Sequence, residues 1–345
     1  MRFLPTNEQR AMAQTVREAL AKQCSADTLR KASDAVQRRR IWSALGSLGV
    51  FGLTIREDLG GLGLDQRDAL GVLQETGRAA APGPIAETFA VCHVLQALPV
   101  NDRTAEWLRR TAAGDAIVTL GLGDAPVVES ADQADLIVLQ HGADLHALVA
   151  GEVQVQREPS VDANRTLFTL QWEPSPSTLL AAGDEASAAL VTARDHLLLA
   201  ASAQLVGLAK QLLELAVRHV TTREQFGRPI GMFQAVQHRL ADVAVGIEFA
   251  EPVVARAACS LVEGVPSAAR DVAMAKVFAS EAAERAAYSG LQVHGAIGYT
   301  REHDFHLYAL RAWSLALAHG DARRHRSRVA ADLLSNRPAP RFPLD

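Results

Sequence analysis

The chain has 345 residues, 48% hydrophobic and 21% charged, a composition that excludes extended disorder. Its length allows two or three domains, each with a buried core. With 35 Lys and Arg against 39 Asp and Glu, the net charge of -4 provides no basic field to gather nucleic acid.

The opening MRFLPTNEQR lacks a signal-type apolar core, and no apolar run is read as long enough to span a bilayer. A cytoplasmic protein without membrane contact is expected. Cys24, Cys92 and Cys259 lie far apart without CxxC spacing, so inert thiols are expected, with no disulfide framework and no metal site.

From Asn7 to about Gly114, capping residues and the lack of β-branched runs predict helices, among them Asn7 to Lys22, Ala32 to Leu48 and Gln66 to Gly77. The glycines of IREDLGGLGLDQRD (55 to 68) follow no strand and open no correctly spaced phosphate loop, so this segment reads as a tight turn. Between Asp115 and Asp184 the short runs AIVTL (116 to 120), DLIVLQ (135 to 140), LHALVA (145 to 150), EVQVQ (152 to 156) and LFTLQW (167 to 172) predict strands. GLGDAP (121 to 126) fails the dinucleotide pattern and reads as a loop.

Long helices resume from Glu185 to about Leu334. In the first, Leu205, Leu208, Leu212 and Leu215 form one apolar stripe. A second starts near Met232, buries Leu240, Val243 and Ile247, and is expected to kink or divide at Glu251-Pro252. A third runs from an N-cap at Ser267 to about Tyr288, and a fourth from Phe305 to Leu334 with Gly320 inside it. The fold class is therefore mostly α with a middle β-domain, divided as 1–114, 115–184 and 185–345.

Two segments are not plain amphipathic helix. TTREQFGRPIGMFQAVQHRLAD (221 to 242) gathers Arg223, Gln225, Arg228 and Gln234 around Phe226. Arginine forks suit phosphate, and an aromatic beside them can pack on a heterocycle. LQVHGAIGYTREHD (291 to 304) places Gly295 and Gly298 around a turn with accessible backbone amides. Together they suggest a nucleotide-like ligand.

These segments, as RxQFGxPI-x2-FQ-x3-H-x-LAD and QxHGxxGYTxEHD, resemble two carboxyl-terminal signatures of the acyl-CoA dehydrogenase family. AMAKVFASEAA (273 to 283), ALGSLGVFGLTIREDLGGLGL (44 to 64) and LQETGRAAAPGPIAET (73 to 88) carry the resemblance along nearly the whole chain. It implies a helical N-terminal domain, a small β-domain and a C-terminal four-helix bundle, in dimers or tetramers with FAD across a subunit interface. It also implies that Arg223, Gln225, Phe226 and Gln234 hold the pyrophosphate and adenine side of FAD. Gln292, His294, Gly295, Ala296 and Gly298 would reach FAD bound mainly by a neighbouring subunit, with Ala296 standing where the family usually has glycine. An acyl-CoA substrate and an electron-transfer flavoprotein or similar acceptor follow from the same resemblance.

The chain departs from the family in two places. The family's glutamate base falls at Gly320, or at His319 after a one-residue shift, and neither is a carboxylate. Asp321 is one position off. Some relatives carry the base near the start of the first bundle helix, where Leu197 has the matching spacing and Asp195, read as a cap or first-turn acid, is the nearest carboxylate. The ring-contacting loop and Trp-Ile-Thr segment usual in the β-domain have no match, since Trp172 is followed by EPSPS. RRHRSR (323 to 328) reads as a solvated basic face.

Three readings remain open. The chain is the short subunit of a heteromeric dehydrogenase, completing the FAD site of a longer homologous chain in a heterotetramer that acts on a fatty or steroid side-chain thioester. Alternatively it is a self-sufficient homo-oligomeric dehydrogenase using a base such as Asp195, or a flavin-free scaffold that binds acyl-CoA or a partner.

Overall fold

The computed structural model describes residues 4–31, 34–123, 126–151 and 153–335. Helices α1 (Asn7–Gln23), α2 (Ala26–Arg30), α3 (Ala35–Ser47), α4 (Gln66–Arg78), α5 (Ile85–Ala97) and α6 (Asp102–Ala112) come first. Thr6, Asp65 and Asn101 each close a capping box, satisfying amides that the first helical turn leaves free. The predicted start of the second helix at Ala32 lies outside the described residues; α3 follows Asp34, whose carboxylate caps it. The glycine-rich segment before α4 is the expected tight turn, with the Gly61 amide donating back to the Arg56 carbonyl at 3.0 Å.

The middle segment forms two sheets from β1 (Val118–Gly121), β2 (Val128–Glu129), β3 (Leu136–His141), β4 (Asp144–Val149), β5 (Gln154–Glu158), β6 (Leu167–Gln171) and β7 (Leu179–Ala181). One sheet has the order β1-β3-β4-β7, with β1 parallel to β3, and the other is antiparallel β2-β6-β5. Val128, Ile137, Leu139, Leu148 and Phe168 pack between them in a small separate core. Strands β2 and β7, of two and three residues, are too short for alternation to reveal them.

The remaining helices are α7 (Gly183–Thr222), α8 (Gln234–Val262), α9 (Ala268–His294), α10 (Phe305–Leu317) and α11 (Ala322–Ser335). The predicted stripe Leu205, Leu208, Leu212 and Leu215 is buried in α7. One 18-residue window of this helix has a mean hydropathy of 1.3, so the expectation that no apolar run reaches membrane-spanning length needs correction. Its composition reflects its place in the interior, because 78% of that window is buried against neighbouring helices.

Helices α4 and α7 cross at their backbones. A Cβ at Gly207 would lie 1.8 Å from the Gln74 carbonyl oxygen, and one at Gly77 would lie 2.0 Å from that of Gln204. Only glycine at both positions permits this approach. Beside it the Gln204 amide donates to the Thr76 hydroxyl at 3.2 Å.

Three helix boundaries differ from expectation. Pro252 does not divide α8, which runs unbroken through it. Glu248, whose carbonyl loses its helical donor, is exposed, so water can satisfy that oxygen. The predicted fourth helix is two helices, because His319 and Gly320 take φ of 59° and 101° and end the helical path. Ser267 stands at the start of α9, but its hydroxyl donates to Asp271 instead of accepting from the helix backbone.

Candidate functional site

The first signature begins where α7 ends. Strands β8 (Glu224–Gln225) and β9 (Arg228–Pro229) form a hairpin whose tip residues, Phe226 and Gly227, both have positive φ, as a two-residue type I′ turn requires. Phe226 is 92% exposed, and its ring meets Phe233 edge-on at 6.1 Å. The Arg228 guanidinium lies over the Phe233 ring at 4.3 Å, a cation–π contact that makes Phe233 a site residue the sequence reading missed. Arg223, Gln225 and Gln234 are exposed, and among the described residues the Arg223 and Gln225 side chains have no partner.

The second signature closes α9. Gln292, Gly295 and Ala296 are exposed, and Gly295 takes a φ of 65° in open space, while Gly298 is packed against Leu291 and His294. The His294 imidazole turns inward. Its Nδ1 donates to the Gly290 carbonyl at 2.7 Å and its ring stacks on His219 at 4.3 Å. His219 lies in the last turn of α7, one turn before Arg223, so this stack brings the two signatures to one end of the helical layer. Burial, with His219 and His303 adding to it, pushes the His294 imidazolium pKa down to about 4.

The region where the resemblance puts the base has a different character. His319 Nε2 lies 3.3 Å from Glu87 Oε1 on α5. Arg165 donates from Nε to Glu129 Oε2 at 2.6 Å and from Nη1 to Ser314 Oγ at 3.2 Å. Arg311 pairs with Asp162 and donates to the Ala81 carbonyl at 2.9 Å. Glu87, Glu129, Asp162, Arg165 and Arg311 are buried and His319 is half-buried, and their pairings link α5, the β-domain and α10. Burial pushes the Glu129 carboxyl up to about 7 despite Arg165. Glu87 is also opposed by burial, but contact with His319 and the charge of Arg165 hold it below the usual carboxylate range. His319 is lowered by burial, which its contact with Glu87 offsets only partly. A single acid inside the mostly apolar run IAETFAVCHVL is the signal available for Glu87.

Lys276 on α9 ends in the same region. Its ammonium donates to Ser280 Oγ at 3.1 Å and the Ala316 carbonyl at 2.8 Å, closing the C-terminus of α10. Burial, then Arg165, pushes it from 10.5 down to about 7. Above pH 7 the unfolded chain therefore binds more protons than the folded one, and stability rises with pH up to the unfolded pKa. Between about pH 7.5 and 8.5 Lys276 alone should add about 1 kcal/mol to the unfolding free energy. Urea unfolding across this window should give a slope about 1 kcal/mol per pH unit more positive in the native chain than in Lys276→Met, which keeps the opposing contribution of the buried thiols; equal slopes in the two proteins would remove the assignment.

The other base candidates are also occupied. Asp195 is neither cap nor first-turn acid, because α7 begins at Gly183 and places it well inside the helix. It is buried and faces Arg328 Nη2 at 3.3 Å; burial raises its pKa while Arg328 opposes the shift. Leu197 is buried. Asp321 Oδ1 accepts the Arg324 amide at 2.8 Å and caps α11. The 323–328 segment is not a plain solvated face, since His325 is buried against the His319 carbonyl, Arg326 pairs with Glu281 and Arg328 with Asp195. Cys24, Cys92 and Cys259 are free and buried, and burial pushes the Cys24 and Cys92 thiols up to about 12.

Two family models match this chain: acyl-CoA dehydrogenase, N-terminal domain, over residues 6–115, and acyl-CoA dehydrogenase, C-terminal domain, over residues 192–334. Acyl-CoA dehydrogenase IpdE2 of Mycobacterium tuberculosis is 35% identical over 311 residues, covering 89% of this chain and 92% of that protein. The structure of the ChsE4-ChsE5 complex from Mycobacterium tuberculosis has a TM-score of 0.85 at 24% identity, covering 98% of this chain and 100% of the matched one. A Tcur3481-Tcur3483 steroid ACAD variant gives 0.84 at 23% identity, covering 95% and 98%. With both ends of the chain matched and the mainly helical fold shared, the protein belongs to the acyl-CoA dehydrogenase family of flavin-dependent oxidoreductases.

Proposed function

We propose that this chain is the short subunit of a heteromeric FAD-dependent acyl-CoA dehydrogenase and completes the cofactor site of a longer homologous partner. The observation that carries this reading is an asymmetry between two regions. Arg223 and Gln225 stand exposed and unpartnered beside Phe226, and Gly295 lies in open space. Those groups fit an incoming pyrophosphate and adenine. Where a base and a reacting thioester would be needed, Glu87 is instead committed to His319, Glu129 to Arg165, and Arg311 to Asp162.

The residues present therefore fit the dinucleotide half of FAD and not a self-contained reaction site. When bound, the flavin supplies hydride acceptance. This chain's contribution is anion contact from Arg223, hydrogen bonding from Gln225 and Gln234, and backbone approach at Gly295 and Ala296, with Gln292 beside them, while Gly298, buried against Leu291 and His294, shapes the turn. The longer chain would supply the carboxylate that removes the α-proton of the acyl-CoA. The names of the ChsE4-ChsE5 complex and the steroid ACAD variant support a pairing of two unlike chains that acts on a steroid-derived thioester; a heterotetramer and an electron-transfer flavoprotein as acceptor complete the proposed reading. The burial of Asp195 against Arg328 argues against the self-sufficient alternative.

The test is the visible flavin spectrum of the chain purified alone and with a longer homologue. Little flavin alone and a stoichiometric amount in the complex are expected. Full flavin loading and acyl-CoA oxidation by the isolated chain would overturn the reading.

A further inference from the structure

Three imidazoles meet where the two signature segments approach each other. His219 lies in the last turn of α7, His294 closes α9, and His303 precedes α10. His294 stacks on His219 at 4.3 Å, and the His303 ring stands edge-on to it at 4.6 Å. One ring nitrogen from each histidine lies within 4.8 Å of the other two. The hydrogen bond from His294 Nδ1 to the Gly290 carbonyl puts the ring proton on Nδ1. Nε2 therefore holds a lone pair, yet it is buried without a hydrogen-bond partner. A carbonyl behind one nitrogen and a free lone pair on the other is the usual arrangement of a metal-ligating imidazole.

We propose that His219, His294 and His303 form a site for a divalent first-row transition ion of the zinc class, with water completing the coordination. Tetrahedral ligands about 2.0–2.1 Å from zinc stand roughly 3.3 Å apart, so the rings must close inward from their metal-free separation. His219 and His303 are only partly buried and have room to move. His303 Nδ1 accepts the Phe305 amide at 3.1 Å, so this ring must exchange that contact to coordinate through a free lone pair. It is therefore the weakest ligand of the three. A bound ion would join the end of α7 to the α9–α10 turn and fix the hairpin relative to Gly295. Sequence spacing hides the site, because the ligands come from three elements and no cysteine takes part.

The test is titration of the chelator-treated, flavin-free full-length chain with Co2+, followed by visible ligand-field absorption and calorimetry. One equivalent should bind with tetrahedral-type bands. His219→Phe keeps a ring against His294 and should weaken binding by at least about 100-fold, whereas His303→Phe should weaken it by about 10-fold. His238→Ala, at an exposed histidine on α8, should leave binding unchanged. If His219→Phe does not fold, the native chain's bands and the His303→Phe loss decide the matter. Absence of the bands, or binding unchanged in the triad variants, would show an aromatic stack only and overturn the proposal. The measurement is independent of partner or flavin binding.

Discussion

Gly207→Ala should destabilise the fold by about 3 kcal/mol or more, among the largest effects expected of any single methyl group in this chain. The added carbon would lie 1.8 Å from the Gln74 carbonyl oxygen, inside any permissible contact. Neither partner can yield cheaply, because that oxygen belongs to the α4 backbone and α7 is enclosed by other helices. Relief requires the helices to separate, which opens the packing around Leu73, Leu205 and Leu208. Gly77→Ala should behave similarly. Gly246→Ala is the control: its Cβ would meet only Arg285 Cδ at 4.0 Å, and helix propensity favours alanine by up to about 1 kcal/mol. Urea midpoints of the three variants test the comparison, and a Gly207→Ala midpoint equal to that of Gly246→Ala would sink the crossing argument.

Arg165→Met should cost about 3–5 kcal/mol, because it leaves buried Glu129 without its guanidinium and removes a positive charge facing Glu87. The second substitution distinguishes charge imbalance from lost packing. Adding Glu129→Gln to Arg165→Met removes the stranded carboxylate and should recover much of the loss. If the double variant is as unstable as the sum of the two single variants, packing rather than charge pairing dominates. Chemical denaturation of the four proteins completes this cycle.

The segments that set the family were legible because their chemistry is local: Arg223, Gln225 and Phe226 sit within four positions, and the turn at Gly295 lies in one short stretch. Periodicity likewise exposed the core stripe of α7 and the main strands. Other features depend on long-range closure. Glu87 meets His319, and Glu129 meets Arg165, only after helices and strands pack, so neither pairing has a spacing signature. Asp195 lies deeper in α7 than a cap or first-turn acid would, because the helix opens at Gly183 and nothing in the alanine-rich stretch that follows marks its depth. Pro252 misled in the opposite direction, since a single missing donor beside solvent does not end a helix held by its buried face.

The break between α10 and α11 makes a carboxylate at position 320 hard to install. A carboxylate restored at Gly320 by one codon change would be placed on a backbone at φ 101°, which other residues rarely adopt, with its Cβ 3.0 Å from His325 Nε2 and 3.1 Å from Arg324 Cδ. Selection for activity would have to rebuild the helix end and the lysine contacts around it before the carboxylate brought any benefit. The geometry therefore acts as a ratchet: once a lineage accepts this turn, no single substitution brings a well-placed carboxylate to this position.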